Sequence, residues 1–197
     1  MTGLADRPLA GLLDVVASTD PAPGGGSSAA VAVALAAALL EMCSRLELAR
    51  EGVSEHLAQD LPVQARTLRE RGLQLADQDL SSYAGVLEAL RQPKDQPGRA
   101  DRLEAALTEA SQAPLAIAEA AAEIAGLAAA VTAVSDPAVR GDALAAVLIA
   151  EAATAAAASL VEINLASREG SDLARARDAR RRAQEAREDA LATLPRR

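Results

Sequence analysis

Three consecutive glycines, Gly24, Gly25 and Gly26, stand just before an apolar stretch with helical periodicity, and Ser27 follows them. Glycine lets the backbone come close to a ligand, and the first turn of a helix presents unpaired N–H groups to an anion or to developing negative charge. The competing interpretation is a flexible turn between helices. A dinucleotide-binding or P-loop motif is excluded, because no strand is predicted before the glycines and no Lys follows them.

A second candidate group lies on a predicted helix, where Asp79 continues a stripe of leucines and Tyr83, the only Tyr, follows one turn later. A carboxylate on a buried helix face beside a phenol is a candidate for a shifted pKa and for acid–base chemistry. The competing interpretation is a buried carboxylate that serves a neighbouring helix. Asp77 is predicted to point elsewhere.

Three further positions attract attention because of their rarity or their context. Lys94 is the only Lys in the chain, and a Lys can be tuned by its surroundings whereas an Arg keeps its proton, although chance also explains it. Ser135 and Asp136 precede a proline and predict a helix start, and capping explains them fully. Asn164 is the only Asn.

The remaining composition excludes several classes of function. His56 and Cys43 are the only His and the only Cys, so no zinc ligand set, no Ser-His-Asp triad and no internal disulfide are expected. His56 lies in a polar stretch and is expected to be exposed. The 28 acidic and 20 basic residues give a net charge of −8, which excludes a general nucleic-acid binder.

Helices must position these residues, because Ala and Leu dominate the sequence and aromatic residues make up only 1%. The sequence predicts an all-α, single-domain bundle of about six helices with an Ala/Leu core, over residues 1–197. Proline at position 62 marks a kink or a true start, and proline at position 114 a kink or a break. The predicted segments are about 4–18, 27–50, 54–91 with Ser54 as a possible N-cap, 99–133, 137–167 and a solvated, salt-bridged C-terminal helix within 171–197.

Residues 143–161 contain one charged residue, Glu151, so this helix is expected to be buried. In a domain of this size such burial favours a second subunit, and a homodimer is predicted. The apolar run 29–40 is too short to span a bilayer, and no signal peptide is recognised at the start of the chain. The sequence therefore predicts a cytoplasmic protein that binds neither membrane nor nucleic acid.

Several motifs, taken in their order along the chain, resemble the cyclodeaminase/cyclohydrolase family. This family comprises the C-terminal domain of formiminotransferase-cyclodeaminase and free-standing methenyltetrahydrofolate cyclohydrolases. The resemblance covers residues 4–167 and implies an all-helical fold, dimeric association and a folate substrate. The motifs that carry it are Pro23 to Ser27 with Ala29-Ala30, Leu40-Glu41-Met42, Asp77-Gln78-Asp79 with Tyr83, Pro93-Lys94, Arg99, Ala113-Pro114-Leu115, Ser135-Asp136 and Val161 to Leu165.

Two positions depart from the pattern of the family. Ser28 stands where the family usually has Val after Gly-Ser, a mild change. Ala129-Ala130 stands where a Gly-Asn is expected before the Ser-Asp pair. If that Asn contacts substrate, its replacement by Ala affects activity or substrate choice.

The resemblance implies hydrolysis of 5,10-methenyltetrahydrofolate to 10-formyltetrahydrofolate, with formiminotetrahydrofolate cyclodeaminase as the alternative. A third hypothesis, favoured by Ala129-Ala130, is a non-catalytic helical dimer that kept the fold. The catalytic candidates are Asp79, Lys94 and Asp136, with the carboxylates as base and electrostatic partner. Tetrahydrofolate as substrate is the only small molecule implied, with no metal or further cofactor. The substrate-binding candidates are Gly24, Gly25, Gly26, Ser27, Tyr83, Ser135 and Asn164.

Overall fold

The computed structural model describes residues 3–20, 22–50, 57–166 and 170–194, and in these ranges it contains helices and no strands. The all-α prediction is confirmed. A short 3₁₀ turn, Leu4–Asp6, precedes the α-helices. These are α1 (Leu9–Val16), α2 (Gly25–Leu48), α3 (Leu61–Arg91), α4 (Arg99–Ala110), α5 (Gln112–Val134), α6 (Pro137–Leu165) and α7 (Ser171–Ala192).

Proline explains most of the differences between the predicted and observed boundaries. Pro62 and Pro114 both lie in the first turn of a helix, where the missing N–H costs nothing, so α3 starts at Leu61 and the predicted fourth helix divides into α4 and α5. The predicted first segment divides into the 3₁₀ turn and the short α1. The predictions for Ser54 and His56 lie outside the described residues.

The core is built from α2, α3, α5, α6 and one face of α7, and alanine lets these helices approach closely. Helices α2 and α3 approach each other closely at Gly72. A Cβ at this glycine would lie 3.0 Å from the backbone N of Ala34 and 3.1 Å from the backbone O of Ala30. The two helices run antiparallel, because the start of α2 lies against Asp79 whereas Glu41, near its end, lies against Arg66.

The C-terminal helix α7 is solvated and salt-bridged on one face, but its other face is buried, which the sequence did not predict. Its alanines form a buried face against α5 and α6. The interleaved charges lie on the opposite face, where Arg181 pairs with Asp178 and Glu185. Alanine is small enough to be overlooked as a core residue between arginines, although it recurs at helical spacing at positions 176, 179, 183, 186 and 190.

Within the part of the chain that the structure describes, three helical segments are long and apolar enough to cross a bilayer by length and composition alone: Gly25–Leu48, Arg99–Val134 and Pro137–Leu165. Between 44% and 56% of each apolar window is buried inside the fold. The apolar run 29–40 is only part of the first of these segments, and the expectation that no membrane is bound stays a prediction.

Candidate active site

The glycine string forms the start of α2. Gly24 precedes the helix, and Gly25 and Gly26 are its first residues. The carboxyl group of Asp79, on α3, lies directly over Gly26. A Cβ at Gly26 would fall 2.1 Å from Oδ1 and 2.6 Å from Oδ2 of that carboxyl group, well inside contact distance. A side chain at this position would therefore displace the Asp79 carboxyl group, so the close approach of an acidic side chain, rather than backbone flexibility, favours glycine here.

Ser27 holds Asp79 in this position. Its hydroxyl donates a hydrogen bond to Asp79 Oδ2 at 2.9 Å and also lies 3.2 Å from the backbone O of Ala76. Ser27 is almost fully buried. Burial raises the pKa of Asp79 above its usual value, and hydrogen bonds from the hydroxyl and backbone N–H of Ser27 oppose part of that rise. The result is a carboxyl group that changes protonation at a higher pH than an exposed Asp.

Asp79 opens into a cavity of about 290 Å³ between the start of α2, the second half of α3, the start of α5 and the end of α6. Tyr83 lies at the rim with 36% of its surface exposed. Asn164 donates a hydrogen bond to the backbone O of Ala110 at 3.3 Å, which ties the end of α6 to the end of α4. The lining residues are Ala22, Gly24, Gly25, Gly26, Asp79, Ser82, Tyr83, Ala110, Pro114, Leu160, Ile163 and Asn164.

The cavity thus collects most of the candidates from the sequence, but two groups lie elsewhere. Lys94 is exposed in the connection between α3 and α4 and does not line the cavity. Ser135 and Asp136 lie at the opposite end of α2, where the backbone N–H of Asp136 donates to Glu47 Oε1 at 3.0 Å. Because Ser27 and Glu47 are separated by 20 residues of one helix, the two ends are about 30 Å apart within a chain.

The group around Asp136 is itself well ordered by hydrogen bonds. Asp136, rather than Ser135, is the N-cap of α6, because its Oδ1 accepts from the backbone N–H of Ala138 at 3.0 Å. The hydroxyl of Ser135 instead donates to the backbone of the preceding turn. Glu47 is fully buried and pairs with Arg50, which also reaches within 3.8 Å of Asp136 Oδ2.

Sequence reasoning did not identify Glu47. The available signal was an acidic residue three positions before an Arg on a mostly apolar helix, a spacing that permits an ion pair on one helix face. A connection from Glu47 to the Ser135-Asp136 turn, 89 residues away, cannot be predicted from that spacing.

Two further expectations can be placed on the structure. Ala129 and Ala130 lie on α5 beside α7, away from the cavity, so the departure from the family pattern at these positions does not change the cavity lining. Among the described residues, no group of three or more His, Cys, Asp or Glu side chains could hold a metal ion. The prediction that no metal is bound stays a prediction.

The fold and the cavity define an all-α helical domain with a carboxylate held over the N-terminus of a buried helix. Residues 8–185 match the family model described as formiminotransferase-cyclodeaminase, and the chain belongs to that family. This confirms the family resemblance seen in the sequence.

The relatives of this chain include proteins named as cyclohydrolases and proteins named as cyclodeaminases. It is 33% identical to methenyltetrahydrofolate cyclohydrolase from Methylorubrum extorquens over 159 residues, which cover 77% of this chain and 76% of that protein. It is 33% identical to formimidoyltransferase-cyclodeaminase from Mus musculus over 130 residues, 61% of this chain, but the match spans only 24% of the mouse protein. The crystal structure of formiminotetrahydrofolate cyclodeaminase from Thermotoga maritima has the same fold, with a TM-score of 0.85, 20% identity and 97% coverage of both chains.

Proposed function

We propose that this protein is a folate one-carbon enzyme that hydrolyses 5,10-methenyltetrahydrofolate to 10-formyltetrahydrofolate. The observation that carries the proposal is the Asp79 carboxyl group, held over Gly26 by Ser27 at the wall of a cavity. The match with the Methylorubrum cyclohydrolase, which extends over three quarters of each chain, supports this reaction.

The chemistry of the substrate fits this arrangement. The reacting carbon of the methenyl group lies between two nitrogens and carries positive charge, so a water that attacks it must lose a proton. Asp79 in its ionised form can stabilise the cation electrostatically and accept that proton, which leaves a neutral carbinol. The protonated Asp79 can then return the proton to N5 as the bond from the carbon to N5 breaks, while the carbinol oxygen releases its own proton to solvent and becomes the formyl oxygen. The N–H groups of Gly25 and Gly26 at the start of α2 can stabilise the partial negative charge on the carbinol oxygen as that oxygen loses its proton.

Stacking contributes little to the binding of a pterin ring here, because Tyr83 is the only aromatic residue of the chain. The cavity offers instead the aliphatic walls of Pro114, Leu160 and Ile163 and the backbone of the glycine turn. Asn164 lies on the same wall and can hydrogen-bond a polar edge of the ligand.

The second candidate is formiminotetrahydrofolate cyclodeaminase, in which a folate nitrogen attacks the formimino carbon and ammonia leaves. The mouse relative, named for this activity, favours it. The reaction needs the same base and a proton donor for the leaving nitrogen, and the phenol of Tyr83 at the cavity rim is placed to donate one.

The two reactions are separated by assaying the purified protein with methenyltetrahydrofolate and with formiminotetrahydrofolate. A fall of the methenyl absorbance, after subtraction of the spontaneous hydrolysis, supports the cyclohydrolase, and a rise supports the cyclodeaminase. The Asp79→Asn variant keeps the shape of the side chain and must lose turnover. Absence of turnover with either substrate at high protein concentration overturns both proposals and leaves the non-catalytic hypothesis.

The predictions of a homodimer and of roles for Lys94 and Asp136 belong to the same proposal. We expect Lys94→Ala and Asp136→Ala to lower turnover without unfolding the chain, which circular dichroism checks. If both variants keep the wild-type rate, neither residue belongs to the site. The cytoplasmic location also stays a prediction, since a single Cys, Cys43, does not imply an oxidising compartment.

A further inference from the structure

The candidate active site offers its ligand no positive charge. Among the described residues that line the cavity, none is a Lys or an Arg, and the only ionised carboxylate is that of Asp79. A folate carries two carboxylates on its glutamate tail, and carboxylates in proteins are bound most strongly by cationic side chains. The cavity of about 290 Å³ is also small for a ligand site, so it accommodates the pterin and leaves the tail outside.

Helices α3 and α4 form a hairpin that extends away from this cavity. Asp79 on α3 and Ala110 at the end of α4 both line the cavity. From Asp79 to the end of α3 at Arg91 the helix extends about 18 Å, and α4 returns over about the same length, from Arg99 to Ala110. The loop of residues 92–98 that joins the two helices therefore lies at the far end of the hairpin, and we call it the hairpin loop.

Two arginines of α4 hold the hairpin loop in a fixed conformation. Nε of Arg99 donates a hydrogen bond to the backbone O of Gln92 at 2.9 Å. Nε of Arg102 donates to the side-chain O of Gln92 at 3.0 Å, and its Nη2 donates to the backbone O of Pro97 at 3.1 Å. These two guanidinium groups are therefore engaged by the loop itself. The hydrogen bonds give Lys94, in the middle of the loop, a defined position.

Two other cations at this end of the hairpin are available to an anion. Arg91 and Lys94 are exposed, and neither forms an ion pair with any residue that the structure describes. Residues 91–102 contain four cations and two carboxylates, those of Asp95 and Asp101, in a chain whose net charge is −8. The end of the hairpin is therefore a local region of positive charge on an acidic protein, and it attracts an anionic group.

An apolar stripe of α3 leads from the cavity to these cations. Tyr83 and Leu90 follow Asp79 at intervals of four and seven residues, which places all three on one face of the helix. Tyr83 is 36% exposed and Leu90 is 48% exposed, so a ligand can contact both side chains. The p-aminobenzoyl ring joins the pterin of a folate to its tail, and a flat apolar ring packs well against a phenol and a leucine.

We infer that the α3–α4 hairpin binds the tail of the substrate, with Lys94 and Arg91 as the cations that pair with its carboxylates. The inference rests on the proposed function, because it takes a folate as the ligand. By standard bond lengths the methenyl carbon of an extended folate lies about 12 Å from the farther tail carboxylate, and a lysine side chain reaches about 6 Å. With a contact of about 3 Å at each end, these lengths exceed the distance of about 18 Å from Asp79 to the end of α3. Lys94 then determines specificity and does not contact the reacting carbon.

Calorimetric titration with two ligands tests the role of the tail without any assay of activity. The ligands are 5-formyltetrahydrofolate, which lacks the methenyl bridge, and its dimethyl ester, whose tail has the same shape but no charge. We expect Lys94→Ala to raise the Kd of the acid about five-fold and to leave that of the ester unchanged. Lys94→Arg should keep most of the affinity. The matched control is Arg187→Ala, which removes an exposed cation from α7 and should change neither Kd.

Kinetics give a second readout. The lower turnover expected of Lys94→Ala should come from a KM for methenyltetrahydrofolate that is about five-fold higher, with kcat kept, whereas loss of an acid or a base lowers kcat.

Three results overturn the assignment of the tail. They are equal losses of affinity for the acid and the ester, an unchanged Kd of the acid in both Lys94→Ala and Arg91→Ala, and a lower kcat with unchanged KM. If the wild type turns over neither folate but binds the acid in a manner that depends on Lys94, the proposed reaction fails and the binding of the tail stands. A wild type that binds neither ligand overturns both.

Discussion

Replacement of Gly26 by Ala tests the central geometric claim about the site, because it adds a single methyl group under the carboxyl group of Asp79. The new Cβ would lie 2.1 Å from Oδ1, 2.4 Å from Cγ and 2.6 Å from Oδ2. Ordinary contact distances begin near 3.4 Å. The carboxyl group must therefore move by about 1 Å or more, and the hydrogen bond from Ser27 cannot be kept at its present length.

The expected loss follows from that displacement. A misplacement of about 1 Å at a reacting group costs on the order of 100-fold in rate, or about 2.7 kcal/mol of transition-state stabilisation. We expect kcat/KM for the folate substrate to fall by about this factor. The fold should tolerate the change, since Asp79 can rotate towards the open cavity and Ala favours the helix more than Gly by about 0.5–1 kcal/mol. The unfolding temperature is then expected to stay within about 3 °C of the wild type.

The assay is the change of methenyl absorbance together with thermal unfolding, and Gly25→Ala is the matched control. A Cβ at Gly25 meets only the Cδ1 atom of Leu160, at 3.9 Å, which is ordinary contact. This variant should keep turnover within a few-fold of the wild type. Wild-type kcat/KM for Gly26→Ala in a folded protein would refute the role given to Asp79. Equal losses in both variants would show that any side chain in the glycine turn blocks the ligand.

Three further predictions follow from single contacts. Ser27→Ala removes a hydrogen bond that lowers the pKa of Asp79, so the pKa rises further and the acid limb of the kcat/KM profile moves to higher pH; an unchanged profile contradicts Asp79 as the base. Gly72→Ala forces α2 and α3 apart and should cost about 1–3 kcal/mol in chemical unfolding, whereas Gly126→Ala, which meets no atom within 4 Å, should cost nothing. Cys43 is buried and its pKa is raised to about 11, so a thiol reagent at pH 8 should label it only after unfolding.

The pKa of Asp79 also has a consequence for stability. Because burial raises this pKa in the folded state, protonated Asp79 contributes stability at acid pH. That contribution is lost as the pH rises through the raised value. The free energy of unfolding of the wild type should therefore fall over this interval relative to that of Asp79→Asn. If the free energies of unfolding of the two proteins change with pH in parallel, the pKa of Asp79 is not raised in the folded state.

Helical periodicity and the helix-breaking residues Gly and Pro predicted the all-α fold, the approximate starts of α2 and α6, and the grouping of Asp79 with Tyr83. The same rules could not place Asp136, because residues at the two ends of a long helix are far apart in space whatever their order in a motif. They also could not predict whether an apolar stripe is buried within the chain or left exposed. The leucines of α3 at positions 61, 68 and 75 are buried, whereas Leu35 and Leu46 in the equally regular stripe of α2 are about half exposed.

Two glycines on neighbouring helices connect the packing to the chemistry. Gly72 lets α3 approach the backbone of α2, and two turns further along the same face of α3 Asp79 arrives over Gly26. The separation of the helices at Gly72 therefore sets the distance from Ser27 to the Asp79 carboxyl group. An alanine at Gly72 acts on the site through the helix spacing and lowers both stability and turnover. An alanine at Gly26 acts on the carboxyl group alone. Loss of both stability and turnover in the Gly72 variant, but of turnover alone in the Gly26 variant, thus distinguishes helix packing that positions the site from the carboxyl group that acts in it.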